Sequence, residues 1–191
     1  MIRVALIDDH PALIAGLTAF LRAEPGIVPV GSASDPSEAE HMLYSTQPDL
    51  VLLDYHLPRG DGLRLCRQIK AHVPAPKVLI YSADADAWLG FAARAAGADG
   101  IASKAAPVRE LFEIVRRVAG GETVLPPVAR EQLHEGAARV DDEDLGLLSM
   151  LIDGTAPHDI AETLRIPAGK LAGRMDRVLA RLRMQVPAPA A

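Results

Sequence analysis

Cysteine is almost absent from the sequence, since Cys66 is the only one among 191 residues. A single cysteine cannot build an internal disulfide framework, and it fits a protein that works in a reducing compartment. The sequence also lacks any apolar run near the roughly 20 residues that a membrane-spanning helix needs. Because residues 1–4 already have the pattern of a strand, we expect no signal peptide, a cytoplasmic location and no membrane partner.

An excess of positive charge is missing as well. The chain has 20 Lys and Arg against 25 Asp and Glu, which gives a net charge of −5. Such a balance provides no overall attraction to nucleic acid or to an anionic membrane surface. The 49% of hydrophobic residues is nevertheless ample for a globular core, and the length suits one large or two small domains.

The most informative stretch is a short apolar run that ends in an acid. Residues 50–53 are all Leu or Val, Asp54 follows them, and Pro58 and Gly60 then favour a turn. A strand that is apolar on both faces belongs in a parallel sheet with helices on either side. Ligands of such sheets bind at the carboxyl ends of the strands. Taken alone, Asp54 could also simply cap the turn.

Strand and helix patterns alternate along residues 2–121. The helical patterns open with turn or capping residues, such as Asp35-Pro36. The predicted strands are 2–7, 27–30, 50–53, 77–81 and 98–102. Five such units in series predict a parallel sheet with right-handed crossovers and helices on both faces.

Polar side chains follow four of these strands. They are Asp8 and Asp9, Asp54, Ser82, and Lys104. We expect them to meet at one edge of the sheet, where clustered carboxylates favour a divalent cation such as Mg²⁺. The Asp54 carboxylate could then attack a phosphoryl group, with Ser82 and Lys104 as donors to the product.

These residues resemble the receiver domain of bacterial two-component response regulators over about residues 2–121. The matching motifs are Ile-Asp-Asp-His at 7–10, Leu-Asp-Tyr-His-Leu-Pro at 53–58, Tyr-Ser-Ala at 81–83 and Gly-Ala-Asp-Gly at 97–100. The resemblance implies a flavodoxin-like, doubly wound five-stranded parallel sheet. It also implies that the protein is a regulator rather than an enzyme.

The resemblance further implies a chemistry for the acidic residues. Asp54 would accept a phosphoryl group from a sensor histidine kinase. Asp9, Asp54 and the backbone carbonyl of His56 would bind Mg²⁺, and Asp8 would assist.

Three further residues stand at positions that sense the phosphoryl group in the resembled family. Ser82 and Lys104 would contact that group and transmit its presence. The family usually has Tyr or Phe where Ile101 stands, and the stiff, apolar Ile101 departs from that switch pattern. The side chains of His56 and Asp84 are expected to border the phosphoryl group.

The character of the sequence changes after residue 121. We predict a linker over 122–139 with a short helix at 129–137, a helical domain over 140–184, and a disordered tail over 185–191. Two helices joined by a tight turn, the later one basic, predict a helix-turn-helix. Gly154 and the apolar pattern after it resemble, more loosely, the LuxR-type DNA-binding domain.

The charges of this domain support two interpretations. Lys170, Arg174 and Arg177 are candidate DNA contacts, whereas the acids at 141–144 would repel phosphates and residues 172–173 lack long donors. The first interpretation is a transcription regulator that forms a homodimer on activation. The second is a phosphorylation-controlled adaptor whose helical domain binds protein rather than DNA.

Overall fold

The computed structural model describes residues 1–58 and 60–183, apart from the side chain of Ala168. The predicted tail at 185–191 lies outside these residues. Within the described part of the chain, one five-stranded parallel sheet has the order β2-β1-β3-β4-β5. Its strands are β1 (Ile2–Ile7), β2 (Ile27–Ala33), β3 (Leu50–Leu53), β4 (Lys77–Ser82) and β5 (Gly100–Ser103). The doubly wound α/β prediction is therefore confirmed.

Five helices connect and follow the strands. They are α1 (Pro11–Ala23), α2 (Pro36–Thr46), α3 (Gly62–Lys70), α4 (Ala87–Ala95) and α5 (Val108–Ala119). The capping signal at α2 acts as expected, because Asp35 Oδ1 accepts hydrogen bonds from the backbone N–H groups of Ser37 and Glu38. Buried residues of α1 and α5 pack on one face of the sheet, and those of α2, α3 and α4 pack on the other.

Four more helices follow the sheet in the described residues. They are α6 (Arg130–Arg139), α7 (Leu145–Ile152), α8 (Pro157–Thr163) and α9 (Ala168–Leu182), with a 3₁₀ turn at Asp142–Asp144. None of the helices in the described part of the chain is long and apolar enough to cross a membrane.

The C-terminal helices share a hydrophobic core with α3 and α4. Buried Leu147, Leu151 and Leu179 belong to the same cluster as Leu89 and Phe91 of α4. The two parts of the chain are therefore joined by packed apolar side chains.

The segment between α5 and α7 also packs on α4. A β-carbon at Gly90 would clash with the Pro126 ring, and one at Gly136 would lie 2.8 Å from the Phe91 ring. Arg139 stacks its guanidinium 4.3 Å from the centre of the Trp88 ring. Glycine at these two positions thus allows the predicted linker segment to lie directly against α4.

Asp99 ties three elements together at the amino-terminal edge of the sheet. Its carboxylate accepts hydrogen bonds from Lys70 Nζ (2.9 Å), Lys77 Nζ (2.9 Å) and the Val78 backbone N–H (2.8 Å). Burial alone would raise the pKa of Asp99, but the hydrogen bonds from Lys70 and Val78 outweigh burial and hold that pKa below its usual range.

We therefore predict that Asp99→Asn lowers the free energy of unfolding at pH 7 by about 1–3 kcal/mol, because charge-assisted hydrogen bonds are lost. A depressed folded-state pKa stabilises the fold above the unfolded-state pKa of about 4, and this stabilisation is lost as the pH falls through the folded value. The difference in the free energy of unfolding between wild type and Asp99→Asn, measured by urea denaturation, should become smaller in acid. Asp153→Asn, at an exposed site, is the control, and equal stabilities at pH 7 would contradict the prediction.

Candidate functional site

The polar residues predicted to meet at the carboxyl edge of the sheet do meet there. Lys104 Nζ lies 2.6 Å from Asp8 Oδ2 and 2.9 Å from Asp54 Oδ2. The backbone positions them, because the parallel ladder continues past the strands: Asp54 N–H donates to the Ile7 carbonyl and Lys104 N–H to the Ser82 carbonyl, both at 2.8 Å. The carboxylates and the ammonium are thus held by the sheet itself.

An acidic group surrounds this contact. Asp8, Asp9, His10 and Asp54 each offer one ligand atom, and these atoms all lie within 4.8 Å of one another. The Asp54 side chain is 2% exposed, whereas that of Asp9 is 30% exposed. His10 belongs to the motif at 7–10, which could have indicated it as a site residue, but it was not predicted as one.

One oxygen of this group is buried without a hydrogen bond. His10 Nδ1 lies between the two acids, 3.0 Å from Asp8 Oδ1, with which it pairs in a hydrogen bond, and 2.9 Å from Asp9 Oδ1. Asp9 Oδ1 therefore has no hydrogen-bond partner among the described residues. A buried, unsatisfied carboxylate oxygen beside two more carboxylates fits a hard cation such as Mg²⁺, which prefers oxygen ligands.

Electrostatics sets the charge of each group. Burial raises the pKa of the Asp54 carboxyl, and the hydrogen bond from Lys104 opposes this rise. Burial would lower the pKa of Lys104, but its hydrogen bonds to Asp8 and Asp54 outweigh burial and raise that pKa above its usual value. At neutral pH Lys104 is therefore a half-buried cation that lies between Asp8 and Asp54.

A cavity opens next to Asp9. It has a volume of about 320 Å³ and lies between the start of α1 and the start of α2, lined in part by Pro11, Ser34 and Glu38. The cavity gives solvent and small ions a path to Asp9, while Asp54 stays almost fully covered.

Ser82 and Ile101 lie on the neighbouring strands β4 and β5. Ser82 is fully buried, and its Oγ accepts a hydrogen bond from the Asp84 N–H at 3.2 Å. Its hydroxyl proton therefore stays available to another acceptor. Ile101 donates its backbone N–H to the Val124 carbonyl at 3.0 Å, and its side chain packs against the core that contains α4.

His56 and Asp84 form a hydrogen bond across two loops. His56 Nε2 lies 2.8 Å from Asp84 Oδ2, and the side chains are 44% and 49% exposed. The backbone N–H of His56 also donates to the Asp54 carboxylate. The sequence placed both residues near Asp54, but it gave no sign that they pair.

The three candidate DNA contacts differ in their surroundings. Lys170 is exposed, and the Arg177 side chain is 58% exposed, 3.8 Å from Glu143. Arg174 is engaged within the fold, since its Nε donates to the buried Asp144 carboxylate at 2.7 Å.

Comparisons with known proteins agree with this arrangement. The response regulator receiver domain family matches residues 4–116. The DNA-binding transcriptional activator DevR/DosR of Mycobacterium tuberculosis is 30% identical over 97% of this chain and 90% of its own length. The transcriptional regulatory protein LiaR of Bacillus subtilis is 30% identical over 95% of this chain and 91% of its own length.

A solved structure shows the same likeness. A two-component response regulator of the LuxR family from Aurantimonas sp. superposes with a TM-score of 0.63 at 28% identity, covering 72% of this chain and 99% of that one. Together with the carboxylates and the lysine at the edge of the sheet, these matches show that the chain belongs to the response regulator receiver family and is a two-component response regulator.

Proposed function

We propose that this response regulator accepts a phosphoryl group on Asp54 from a sensor histidine kinase and controls transcription through its C-terminal helices. The observation that carries the first half is the placement of Asp54: a buried carboxylate within 2.9 Å of the Lys104 ammonium and beside two more acids. Activated carboxylate nucleophiles of this kind accept transferred groups.

The chemistry follows from the surrounding residues. One Asp54 oxygen attacks the phosphorus atom, and the bond between phosphorus and the donor's imidazole nitrogen breaks. Lys104 then pairs with the new phosphoryl oxygens, and the Ser82 hydroxyl, whose proton is available, donates to them.

The acidic residues have a second role beside Asp54. Asp8, Asp9, Asp54 and the His56 carbonyl would bind Mg²⁺, whose charge offsets that of the incoming phosphoryl group. Asp9 Oδ1, which is buried and has no hydrogen bond within the described residues, would gain such a partner.

Phosphorylation gives the first test of this proposal. With Mg²⁺ and a small phosphoryl donor, intact-mass measurement should show one phosphoryl adduct on the wild type and none on Asp54→Asn. Asp84→Asn keeps Asp54 and serves as the control at the same edge, so it should still be modified. An undiminished adduct on Asp54→Asn would refute the assignment.

Mg²⁺ binding gives the second test. Asp9→Asn should lower the affinity for Mg²⁺, measured by calorimetry, by roughly tenfold or more. One fewer carboxylate then remains to hold a cation that loses water reluctantly. Glu38→Gln also removes an acid that lines the cavity beside Asp9, yet it should leave the affinity unchanged. Equal affinities of wild type and Asp9→Asn would count against the metal site.

The second half of the proposal rests on the C-terminal helices. Both relatives named above match this chain along nearly its whole length, and their names describe a DNA-binding activator and a transcriptional regulator. Helix α9 also presents Lys170 and Arg177 to solvent. These cations can bind phosphates, which position a protein on DNA.

A second candidate function has support of its own. Ala172 and Gly173 are exposed on α9, nothing lies within 4 Å of a β-carbon built on Gly173, and Arg174 is held by Asp144. This helix surface has few long donors for base edges, and a flat surface of small residues also suits a protein partner. A phosphorylation-controlled adaptor is therefore the alternative.

DNA binding separates the two functions. If the phosphorylated protein binds DNA, affinity should fall with salt at a log–log slope of about −0.9 per phosphate, and Arg177→Ala should reduce that slope by about one contact. Discrimination between DNA sequences should be poor, since few base-edge contacts are available. Binding by one copy of the chain should then be weak, so stable binding should need two copies. The electrophoretic assay should use the promoter region of the protein's own gene, with and without the phosphoryl donor.

Arg22→Ala is the matched control, because it removes an exposed arginine from α1 and should leave the slope unchanged. If the phosphorylated protein shows no salt-dependent DNA binding at low ionic strength, the adaptor function replaces the transcriptional one.

A further inference from the structure

Asp61 links the loop after Asp54 to the end of the chain's last described helix. Its Oδ1 accepts a hydrogen bond from the Leu63 N–H at 3.0 Å and so caps α3. Its Oδ2 accepts from Arg183, with Nε at 2.7 Å and Nη2 at 2.6 Å. Arg183 lies 122 positions away in the sequence and directly follows α9.

The backbone beside Asp61 packs directly against the phosphoacceptor. Gly62 donates its N–H to the Tyr55 carbonyl at 3.2 Å. A β-carbon at Gly62 would lie 2.5 Å from the Asp54 carbonyl oxygen, so only glycine allows this approach. The sheet holds Asp54 from one side through its N–H, and the backbone at Gly62 supports the carbonyl side of Asp54 and the adjoining Tyr55.

Asp61 needs a positive partner to stay in place. Its side chain is 5% exposed, and Arg183 is its ion-pair partner among the described residues. A buried carboxylate that loses its cation carries a large desolvation cost and tends to move toward water. Such a movement would shift the backbone that Gly62 holds against Tyr55.

We propose that Arg183 is a positioning residue of the phosphorylation site. Through Asp61, an arginine of the C-terminal segment holds the backbone that presents Asp54 and the His56 carbonyl. The inference rests on the function proposed for Asp54. The coupling between the Arg183–Asp61 contact and Mg²⁺ binding is reciprocal. A partner that draws Arg183 away from Asp61 weakens Mg²⁺ binding, and bound Mg²⁺ favours the Arg183–Asp61 contact.

A purely structural role for Arg183 would have different consequences. Asp176 of α9 forms ion pairs with Arg67 (2.6 Å) and Arg64 (3.3 Å) of α3. Both contacts join the same two helices, but neither touches Asp61. Loosening the contact between α3 and α9 at Asp176 therefore separates a general effect of docking from a specific effect of Arg183.

The experiment compares full-length wild type with Arg183→Ala, Arg183→Lys, Asp61→Asn and Asp176→Asn. Arg183→Ala should lower the affinity for Mg²⁺, measured by calorimetry, by roughly tenfold, as when a group that orients metal ligands is removed. Asp61→Asn keeps the helix cap and removes the buried charge, so it should weaken Mg²⁺ binding less than Arg183→Ala does. Adding Asp61→Asn to Arg183→Ala should restore part of the lost affinity. Arg183→Lys should restore part of the affinity, and Asp176→Asn should bind Mg²⁺ like wild type.

Amide hydrogen exchange supplies a readout that needs neither metal nor phosphoryl group. In Arg183→Ala the amides of Gly60 and Gly62, which donate to the Leu57 and Tyr55 carbonyls, should exchange faster, whereas in Asp176→Asn they should not. Unchanged exchange and unchanged Mg²⁺ affinity in Arg183→Ala would overturn the inference, as would equal losses in Asp176→Asn. If wild type takes up no phosphoryl group, the proposed function fails, and the exchange comparison still decides whether Arg183 holds this segment.

Discussion

Placing three carboxylates at one edge of a parallel sheet is the constraint on which the site depends. A buried carboxylate is tolerated only with hydrogen bonds or a cation nearby, and Lys104 supplies the cation by bridging Asp8 and Asp54. The lysine can reach both acids because the backbone ladder continues from Ser82 to the Lys104 N–H. The fold and the charge balance of the site are thus set by the same parallel pairing of strands.

Helix α4 joins the sheet to the C-terminal helices. Its residues from Leu89 to Ala93 are buried, and the segment after α5 packs on it through the close approaches at Gly90 and Gly136. Trp88 donates its Nε1–H to the Leu182 carbonyl at 2.9 Å, which joins α4 to the end of α9. Since α4 begins five residues after Ser82, the helix that follows this strand end also packs against the C-terminal helices.

The sequence predicted the local features of this structure well. The five strands, the Asp35 cap of α2 and the meeting of Asp8, Asp54 and Lys104 all follow from short-range patterns combined with parallel topology. The bounds were less accurate: β2 extends to Ala33 rather than residue 30, because its last residues pair with Leu6 and Ile7. Pairing with a neighbour, rather than composition, decides where such a strand ends.

Long-range ion pairs could not be predicted in this way. Arg183 with Asp61 and Arg67 with Asp176 join residues more than a hundred positions apart, and no local pattern indicates which arginine meets which acid. The sequence pattern indicates that the acids at 141–144 repel DNA phosphates, and it does not indicate that one of them is buried. In the fold, however, Asp144 is 2% exposed and is satisfied by Arg174.

This last pairing changes the meaning of the charge on α9. Arg174, Arg177 and Arg181 contact Asp144, Glu143 and Asp141 in turn, so the acidic segment and the helix form an antiparallel ladder of ion pairs. Arg174 cannot pair fully with both the buried Asp144 carboxylate and a DNA phosphate at once. The exposed pairs at Arg177 and Arg181 contribute little to stability and can be exchanged at small cost, whereas breaking the buried one would leave Asp144 uncompensated. Any nucleic acid that binds α9 must therefore compete with the protein's own acids, and Arg174 is the arginine least able to take part.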